Sequence, residues 1–403
     1  MIGSMLFICD DSISSPILQS QGLPLVKRLS EEGMACSVVS FEDESKRRKT
    51  RGSVDSILPA FMSRVTVRMI PFRPSRLIPG WMLMYFKGIV VCSRIVKKSK
   101  IDIIHARSLI PAMIAFSIKR SIGRRVKVIY DYRGVFVDEQ IYMGRWKKWS
   151  WKSRCARCVE SANLARADRI VAVSNVMRTY LLEEHASNAA ELRKKIHVIP
   201  NKTRVFSAQH TGNSVRDGTG KFIGVYSGSA AAWQGIPEMI QFWKTSAEDF
   251  RQFSFKLLTY DNKNQFLYRF QNDQDLLRRI QIIQLRPNEV AGQLSGADFG
   301  ILLREKHLVN RVASPLKFAE YLASGLPVVV SEGIGDTEEI IEKFRVGIIV
   351  RDRNYHLALE NLVELLKDGS LRQRCYDVAR KEFNLEDAII DYRNLYSNLL
   401  ETT

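Results

Sequence analysis

The sequence predicts an α/β protein made of two doubly wound halves, each a parallel sheet with helices on both faces. Three observations carry this. Short apolar runs alternate with stretches of helical period along the chain. The alternation stops in a polar stretch holding Gly212, Gly218 and Gly220, then restarts. A length of 403 residues suits two domains of about 200 residues each.

In the first half, strands are expected at 5–9, 35–40, 65–70, 101–105, 126–131, 170–173 and 196–199, all short apolar runs. Helices are expected between them, at 24–32, 81–98 and 110–122. In the second half, strands are expected at 222–227, 253–259, 280–285, 299–303, 327–331 and 347–350. Its helices should occupy 237–247, 264–279, 288–295, 315–324, 336–342 and 355–367, with two more at 371–382 and 386–400. The implied domains are 1–203, a linker at 204–220, 221–385, and a C-terminal helix at 386–403 that could cross back to the first domain. Doubly wound domains bind ligands beyond the carboxyl ends of their strands, so a ligand is expected in a cleft between the halves.

The net charge of +18 is uneven. Residues 1–200 hold 35 Lys and Arg against 17 Asp and Glu, whereas residues 201–403 hold 26 of each. The first half should therefore face something anionic, such as an anionic membrane surface, a lipid phosphate, an acidic glycan or a nucleic acid. No RNA- or DNA-binding module is recognisable, so nucleic acid is not the expected partner. Arg145-Trp146-Lys147-Lys148-Trp149-Ser150-Trp151-Lys152 interleaves cations and indoles, which suits a headgroup layer. Lys46-Arg47-Arg48-Lys49 is read as a solvated loop, and Trp81–Phe86 as core rather than membrane contact.

Six cysteines form no disulfide or zinc framework. Asp10 and Asp11 follow the first strand and are read as capping groups, with no metal site. No signal peptide or spanning segment is evident, so a cytoplasmic protein is expected, at most peripheral on the inner face of a membrane.

Residues 312–331, VASPLKFAEYLASGLPVVVS, are the most informative stretch. Ser314 can cap a helix, Pro315 suits its first turn, and Gly325 suits the left-handed position past its end. Lys317 and Glu320 share a face near the N-terminus, where free N–H groups and the macrodipole favour a phosphate. The carboxylate could reach a sugar hydroxyl.

Ser314-Pro315-Leu316-Lys317-Phe318-Ala319-Glu320, with Gly325 and Pro327, resembles the donor-site signature of family 4 glycosyltransferases. Tyr226-Ser227-Gly228-Ser229 with Trp233-Gln234-Gly235 looks like their glycine loop. Ala167-Asp168 through Ser174, and Val198-Ile199-Pro200-Asn201, look like the end of their acceptor domain. Ile103-Ile104-His105-Ala106-Arg107-Ser108 and Asp131-Tyr132-Arg133-Gly134 look like a subset acting on surface polysaccharides.

The resemblance implies a GT-B fold and metal-independent, retaining transfer from a nucleotide-diphosphate sugar, with no cofactor. The acceptor would be a glycan or a polyprenyl-diphosphate-linked glycan. It places Lys317 on the diphosphate, with Arg311 and Arg304 behind it, and Glu320 on the ribose. Gly228 and Ser229 would offer amides to the phosphates. Arg133, His105, Arg107 and Asp131 would serve the acceptor side or a phosphate, and Glu139 could meet the acceptor hydroxyl.

The sequence departs from the family pattern where Val312 replaces its first Glu, and where Ser229 and Gln234 stand at places of its cations. Two alternatives stand beside this reading: a nucleotide-sugar 2-epimerase of the same fold, against which Val312 speaks because proton transfer at the sugar needs carboxylates, and a non-catalytic binding subunit, which the missing Glu and cations motivate.

Overall fold

The computed structural model describes residues 3–401, apart from 16, 46–63, 76–77, 124–125, 206–220, 271–272 and 287–288. The basic run at 46–49 and nearly all of the expected linker lie outside the described residues. The chain divides into two compact units, residues 1–200 with 386–403, and residues 201–385.

The first unit carries a seven-stranded parallel sheet in the order β3-β2-β1-β4-β5-β6-β7. Its strands are β1 (Ser4–Cys9), β2 (Ala35–Asp43), β3 (Thr66–Phe72), β4 (Ile103–Arg107), β5 (Lys127–Tyr132), β6 (Arg169–Ala172) and β7 (Ile196–Val198). The helices between them are α1 (Leu23–Glu31), α2 (Gly80–Lys98), α3 (Leu109–Ile122), α4 (Phe136–Tyr142), α5 (Trp151–Arg166), α6 (Asn175–Glu184) and α7 (Ala189–Lys195). A π-helical turn at Leu18–Gly22 precedes α1 and was not anticipated. The order reverses between β1 and β4, so the ends of these two strands mark the switch point where such sheets bind ligands.

The second unit carries a six-stranded parallel sheet, β10-β9-β8-β11-β12-β13. Its strands are β8 (Phe222–Ser227), β9 (Phe253–Thr259), β10 (Ile280–Gln284), β11 (Phe299–Leu302), β12 (Val328–Ser331) and β13 (Gly347–Val350). Helices α8 (Ile236–Asp249), α9 (Asn264–Phe270), α10 (Gln274–Arg279), α11 (Val290–Leu294), α12 (Leu308–Arg311), α13 (Leu316–Ala323), α14 (Thr337–Phe344), α15 (Tyr355–Leu365) and α16 (Leu371–Glu382) surround it. Two apolar cores, one centred on Trp243 and Phe255 and the other on Phe318 and Val330, hold this unit together. The switch point lies between β8 and β11.

All thirteen expected strands are present, within three residues at each end. The single helix expected at 264–279 is instead α9 and α10, because the Asp273 carboxylate accepts from Leu276 N–H at 3.0 Å and starts a new helix. The last helix, α17 (Leu385–Glu401), packs within the first unit. Arg28 donates from Nε to Glu386 at 3.0 Å, and a Cβ on Gly3 would meet the Leu400 side chain at 2.9 Å. At the other end of the second unit, Thr203 donates its N–H to Phe383 O at 2.9 Å, and Leu385 N–H returns to Thr203 O.

Candidate functional site

Two groups of side chains gather at the switch points, one in each unit. In the second unit β8 ends in Tyr226 and Ser227, and the chain turns at Gly228 and Ser229. Tyr226 is buried, and its hydroxyl donates to Ser229 O at 2.9 Å, which pins the turn. Ser227 N–H donates to the Tyr321 hydroxyl at 2.8 Å and ties the turn to α13. Ala230 N–H donates to Asp261 at 2.9 Å. Gly235 then opens α8 at φ +66°, and a Cβ there would fall on the Leu303 carbonyl and Arg304 Cα. Glycine is thus required for α8 to approach the end of β11.

Lys317, in the first turn of α13, reaches over this turn. Its Nζ donates to Gln234 Oε1 at 2.6 Å and to the Tyr226 hydroxyl at 3.3 Å, and lies 4.5 Å from the Tyr226 ring centroid. Both hydrogen-bond acceptors are neutral. Burial pushes the Lys317 ammonium well below its usual range, Arg304 pushes the same way, and Glu320 opposes them. Burial likewise pushes Glu320 up to about 7, against the attraction of Lys317. Among the described residues the Lys317 hydrogen bonds go only to neutral acceptors, with Arg304 repelling the ammonium and Glu320 attracting it.

A Cβ on Gly228 would fall on Lys317 Nζ and Cε. Those two atoms are the free end of a flexible side chain, but the same Cβ would also press on the buried Tyr226 hydroxyl at 2.7 Å, so Gly228→Ala should displace the ammonium and disturb the Tyr226–Ser229 bond. We expect a melting temperature lowered by a few degrees and, as the family 4 resemblance implies a diphosphate at this turn, at least tenfold weaker binding of nucleoside diphosphates in calorimetry. Equal binding would show that the ammonium is not positioned by this glycine.

Other expectations for this unit change. Ser314 does not cap α13. Pro315 takes the N-cap position, and Ser314 instead accepts from Asn201, through Oγ from N–H at 3.1 Å and through O from Nδ2 at 2.6 Å. Gly325 does adopt the left-handed conformation, φ +72°. Arg304 donates its N–H to Ser331 Oγ at 2.9 Å and sits near enough to bias Lys317. Arg311 ends α12 with its side chain exposed. Val312 is buried, so the position of the family's first Glu is here part of the packed interior.

In the first unit, β4 and β5 lie side by side with Arg107 opposite Asp131 in register. Asp131 is wholly buried among three cationic or titratable partners. Arg133 Nε approaches Oδ1 at 2.7 Å, His105 Nε2 approaches Oδ2 at 3.1 Å, and Arg107 Nη1 lies 3.8 Å from Oδ2. Burial opposes the Asp131 charge, but Arg133, His105 and Arg107 prevail and hold its carboxyl well below the usual range. Burial pushes His105 down, against Asp131, and favours the neutral ring. Nε2–H therefore donates to Asp131, and Nδ1 accepts from the Tyr396 hydroxyl at 2.7 Å. Arg133 Nη2 donates to the Tyr392 hydroxyl at 2.7 Å. Arg107 Nη2 donates to Gln21.

This network revises the expectation for His105 and Asp131. Neither has any exposed surface, and both ring nitrogens of His105 are engaged. The cluster bonds Tyr392 and Tyr396 of α17 to the sheet. Arg133 keeps a partly exposed side chain, and Arg107 very little.

The open part of the switch point is acidic. Burial pushes Asp10 up to about 6, with Asp11 adding and Ser108 opposing. Glu139 is pushed up to about 7 by burial, with Asp10, Asp138 and Asp11 adding. A Cβ on Gly134 would fall on Glu139 Oε1, so the glycine admits this carboxyl to the end of β5. Asp10 and Asp11 start no helix, contrary to the capping expectation. Cys9 Sγ and these two carboxylates lie within 4.8 Å of one another, but burial raises the Cys9 thiol well above its usual range, which disfavours a thiolate ligand. Ser108, between β4 and α3, has φ +80° and ψ 179°, a conformation that favours glycine.

Glu160 on α5 is buried and accepts from the Tyr132 hydroxyl at 3.0 Å. Burial pushes it up to about 7. An acid with a raised folded pKa holds its proton more tightly when folded, so stability falls as pH rises from about 4.5 through 7. Glu160→Gln should therefore be more stable than wild type at pH 8, by of order 1–3 kcal/mol, with no gain near pH 5. Urea unfolding at the two pH values checks this. Equal shifts at both would refute it.

Sequence reasoning missed Tyr226, Gln234 and Tyr321 as the frame around Lys317, and Tyr392 and Tyr396 as partners of the Asp131 cluster. For Gln234 the signal was present, since it stands where the family carries a cation.

Two parallel-sheet domains with these switch-point sites define a GT-B protein. Residues 23–202 match the family model described as Glycosyltransferase Family 4, and residues 247–385 match Glucosyltransferase 3-like, C-terminal domain. Both halves are thus glycosyltransferase-type domains. No curated protein matches the sequence. Solved structures share the fold at low identity. Sucrose-phosphate synthase (tll1590) from Thermosynechococcus elongatus is 15% identical with TM-score 0.76, covering 100% of both chains. Anabaena Alr3699/HepE, in complex with UDP and glucose, is 15% identical with TM-score 0.68, covering 98% of this chain and 99% of its own. The lipopolysaccharide outer core galactosyltransferase WaaB is 12% identical with TM-score 0.69, again covering 98% and 99%.

Proposed function

We propose that this protein transfers a glycosyl group from a nucleoside-diphosphate sugar to a hydroxyl of a glycan or polyprenyl-diphosphate-linked glycan, in cell-surface polysaccharide synthesis at the cytoplasmic face of a membrane. One observation carries the reading: the Lys317 ammonium is half-buried and, among the described residues, hydrogen-bonded only to the neutral Gln234 and Tyr226, at a glycine turn on a switch point. A diphosphate suits this arrangement. It would replace neutral acceptors with charged ones and relieve the repulsion between Lys317 and Arg304.

The chemistry follows from charge. The bond from the anomeric carbon to the diphosphate breaks, and a bond to the acceptor oxygen forms. The acceptor proton leaves with the diphosphate, on which negative charge grows. Lys317, Arg304 and the amides near Gly228 and Ser229 are donors fixed in advance for that charge, with no metal required. Glu320 receives the ribose hydroxyls. On the acceptor side, Glu139 and Asp10 are carboxyls that exchange protons near neutral pH, suited to hydroxyl recognition. Arg133 and Arg107 suit a phosphate on the carrier. Retention at the anomeric carbon is part of the proposal and rests only on the resemblance of residues 314–327 to the family 4 signature. HepE, which binds UDP and glucose, supports the donor class.

A thermal-shift panel of nucleoside diphosphates and their sugars tests the reading. A cognate donor at a hundred times its Kd stabilises by about 2.7 kcal/mol, so one base and one sugar should stand out. A flat panel would sink it. Product analysis without acceptor separates transfer from 2-epimerisation.

A further inference from the structure

Helix α2 is amphipathic the wrong way round. Its buried stripe is Met84, Gly88, Cys92 and Val96, two of which are small. Gly88 is small because a Cβ there would collide with Ile114 and press on Phe41. Phe86, 59% exposed, and Val90, 50% exposed, face away from that stripe, and Trp81, on the stripe's own face one turn before Met84, is 47% exposed at the start of the helix. The sequence reading of 81–86 as core holds for Met84, whereas packing through Gly88 turns Phe86 to the surface and Trp81 is exposed at the helix start.

A second exposed aromatic pair lies at the start of α5. Trp149 is 80% exposed and Trp151 71%, with Lys148 5.3 Å from the first ring and Lys152 6.0 Å from the second. Trp146, by contrast, packs edge-on against Phe136. Helix α3 contacts both α2 and α5, so the three helices share one face of the sheet. Each follows a strand of the same parallel sheet, so all three begin at its carboxyl edge. Trp81, Trp149 and Trp151 therefore crown one edge, about 20 Å apart across α3 at ordinary helix spacing. The acidic switch-point group and Arg107 stand at that same edge.

We propose that this crown is a docking surface for an anionic bilayer, which brings a lipid-borne acceptor to the carboxyl edge of the first sheet. Charge argues for this occupant, because residues 1–200 hold the whole net charge of the chain. Lys87 of α2 is exposed beside Phe86, and Lys147, Lys148 and Lys152 beside the indoles. Outward rings ringed by cations match a headgroup layer, with indoles at the interface and ammonium groups on lipid phosphates. No helix among the described residues is long and apolar enough to cross a membrane, so the contact is made from one side. The inference deepens the proposed function by naming how the acceptor arrives, but the surface stands or falls on its own test.

The full-length protein is co-sedimented with vesicles of phosphatidylglycerol and phosphatidylcholine, and with phosphatidylcholine alone, at low and moderate salt. Wild type should partition onto the anionic vesicles, with a blue shift of tryptophan emission. Trp81→Ala with Phe86→Glu, and separately Trp149→Ala with Trp151→Ala, should each lower that partition at least tenfold. Circular dichroism and the nucleoside-diphosphate thermal shift should stay at wild-type values, which shows that the variants fold and keeps the donor site out of the readout. The proposal is overturned if wild type ignores anionic vesicles at low salt. It is also overturned if both pairs bind as wild type does, the signature of diffuse electrostatic adsorption. A third contrary result is a wild-type dimer that the same substitutions dissolve, since the face would then join two copies of the chain.

Discussion

Lys317→Met should lower transfer by at least 100-fold, with melting temperature equal to or above that of wild type. The size follows from what one preorganised donor contributes where charge develops, about 10²–10³ in rate. The sign on stability follows from burial. The ammonium is half-buried without a charged hydrogen-bond partner and beside Arg304, so its charge is a cost to the empty protein. Methionine keeps the aliphatic stem over Tyr226 and discards that cost. Transfer assays and thermal melts on the same preparation check both halves. A variant that keeps wild-type turnover would remove the proposed catalytic role, and also the reading of this chain as an enzyme driven from that helix end.

Asp131→Ala should be the most destabilising substitution in the first unit, by about 3–5 kcal/mol, the range for breaking one side of a buried ion pair. It strands Arg133 and Arg107 in the interior and takes the acceptor from His105 Nε2. Tyr392 and Tyr396 are bonded to those same groups, so α17 should loosen with it. Urea unfolding measures the loss, and hydrogen exchange should show reduced protection across α17. The pH profile gives a second signature. The folded pKa of Asp131 is depressed, so its stabilisation is present above the unfolded value near 3.8 and lost as pH falls below it. The variant should lack that part of the acid transition. Tyr392→Phe and Tyr396→Phe should each cost only about 1 kcal/mol. An Asp131→Ala loss no larger than theirs would mean that the aspartate is not the hub.

The strands were legible in the sequence because parallel strands buried on both faces are unbroken apolar runs. Val328, Val329 and Val330 need no partner in the text to be recognised. Gly325 was legible for the same local reason, as a stop signal with one conformation. The site was legible only as residue types. Gln234 and Lys317 are 83 positions apart, and His105 and Tyr396 are 291 apart. Nothing local announces such a bond. His105 and Asp131 looked like ligand groups because they end strands at an edge, yet the last helix closes over them with two tyrosines. Phe86 looked like core because apolar residues usually are, and the packing of Gly88 against Ile114 shows which side of α2 faces inward.

The central claim is that the start of α13 holds a diphosphate through Lys317. Calorimetric titration of the stabilising nucleoside diphosphate into wild type and Lys317→Met, in two buffers of different ionisation enthalpy, tests it most directly. The account predicts at least tenfold weaker binding to the variant. It also predicts proton uptake by wild type alone, because the phosphate raises a lysine pKa that burial had lowered. Equal affinity for both proteins, with no proton taken up by either, would contradict it.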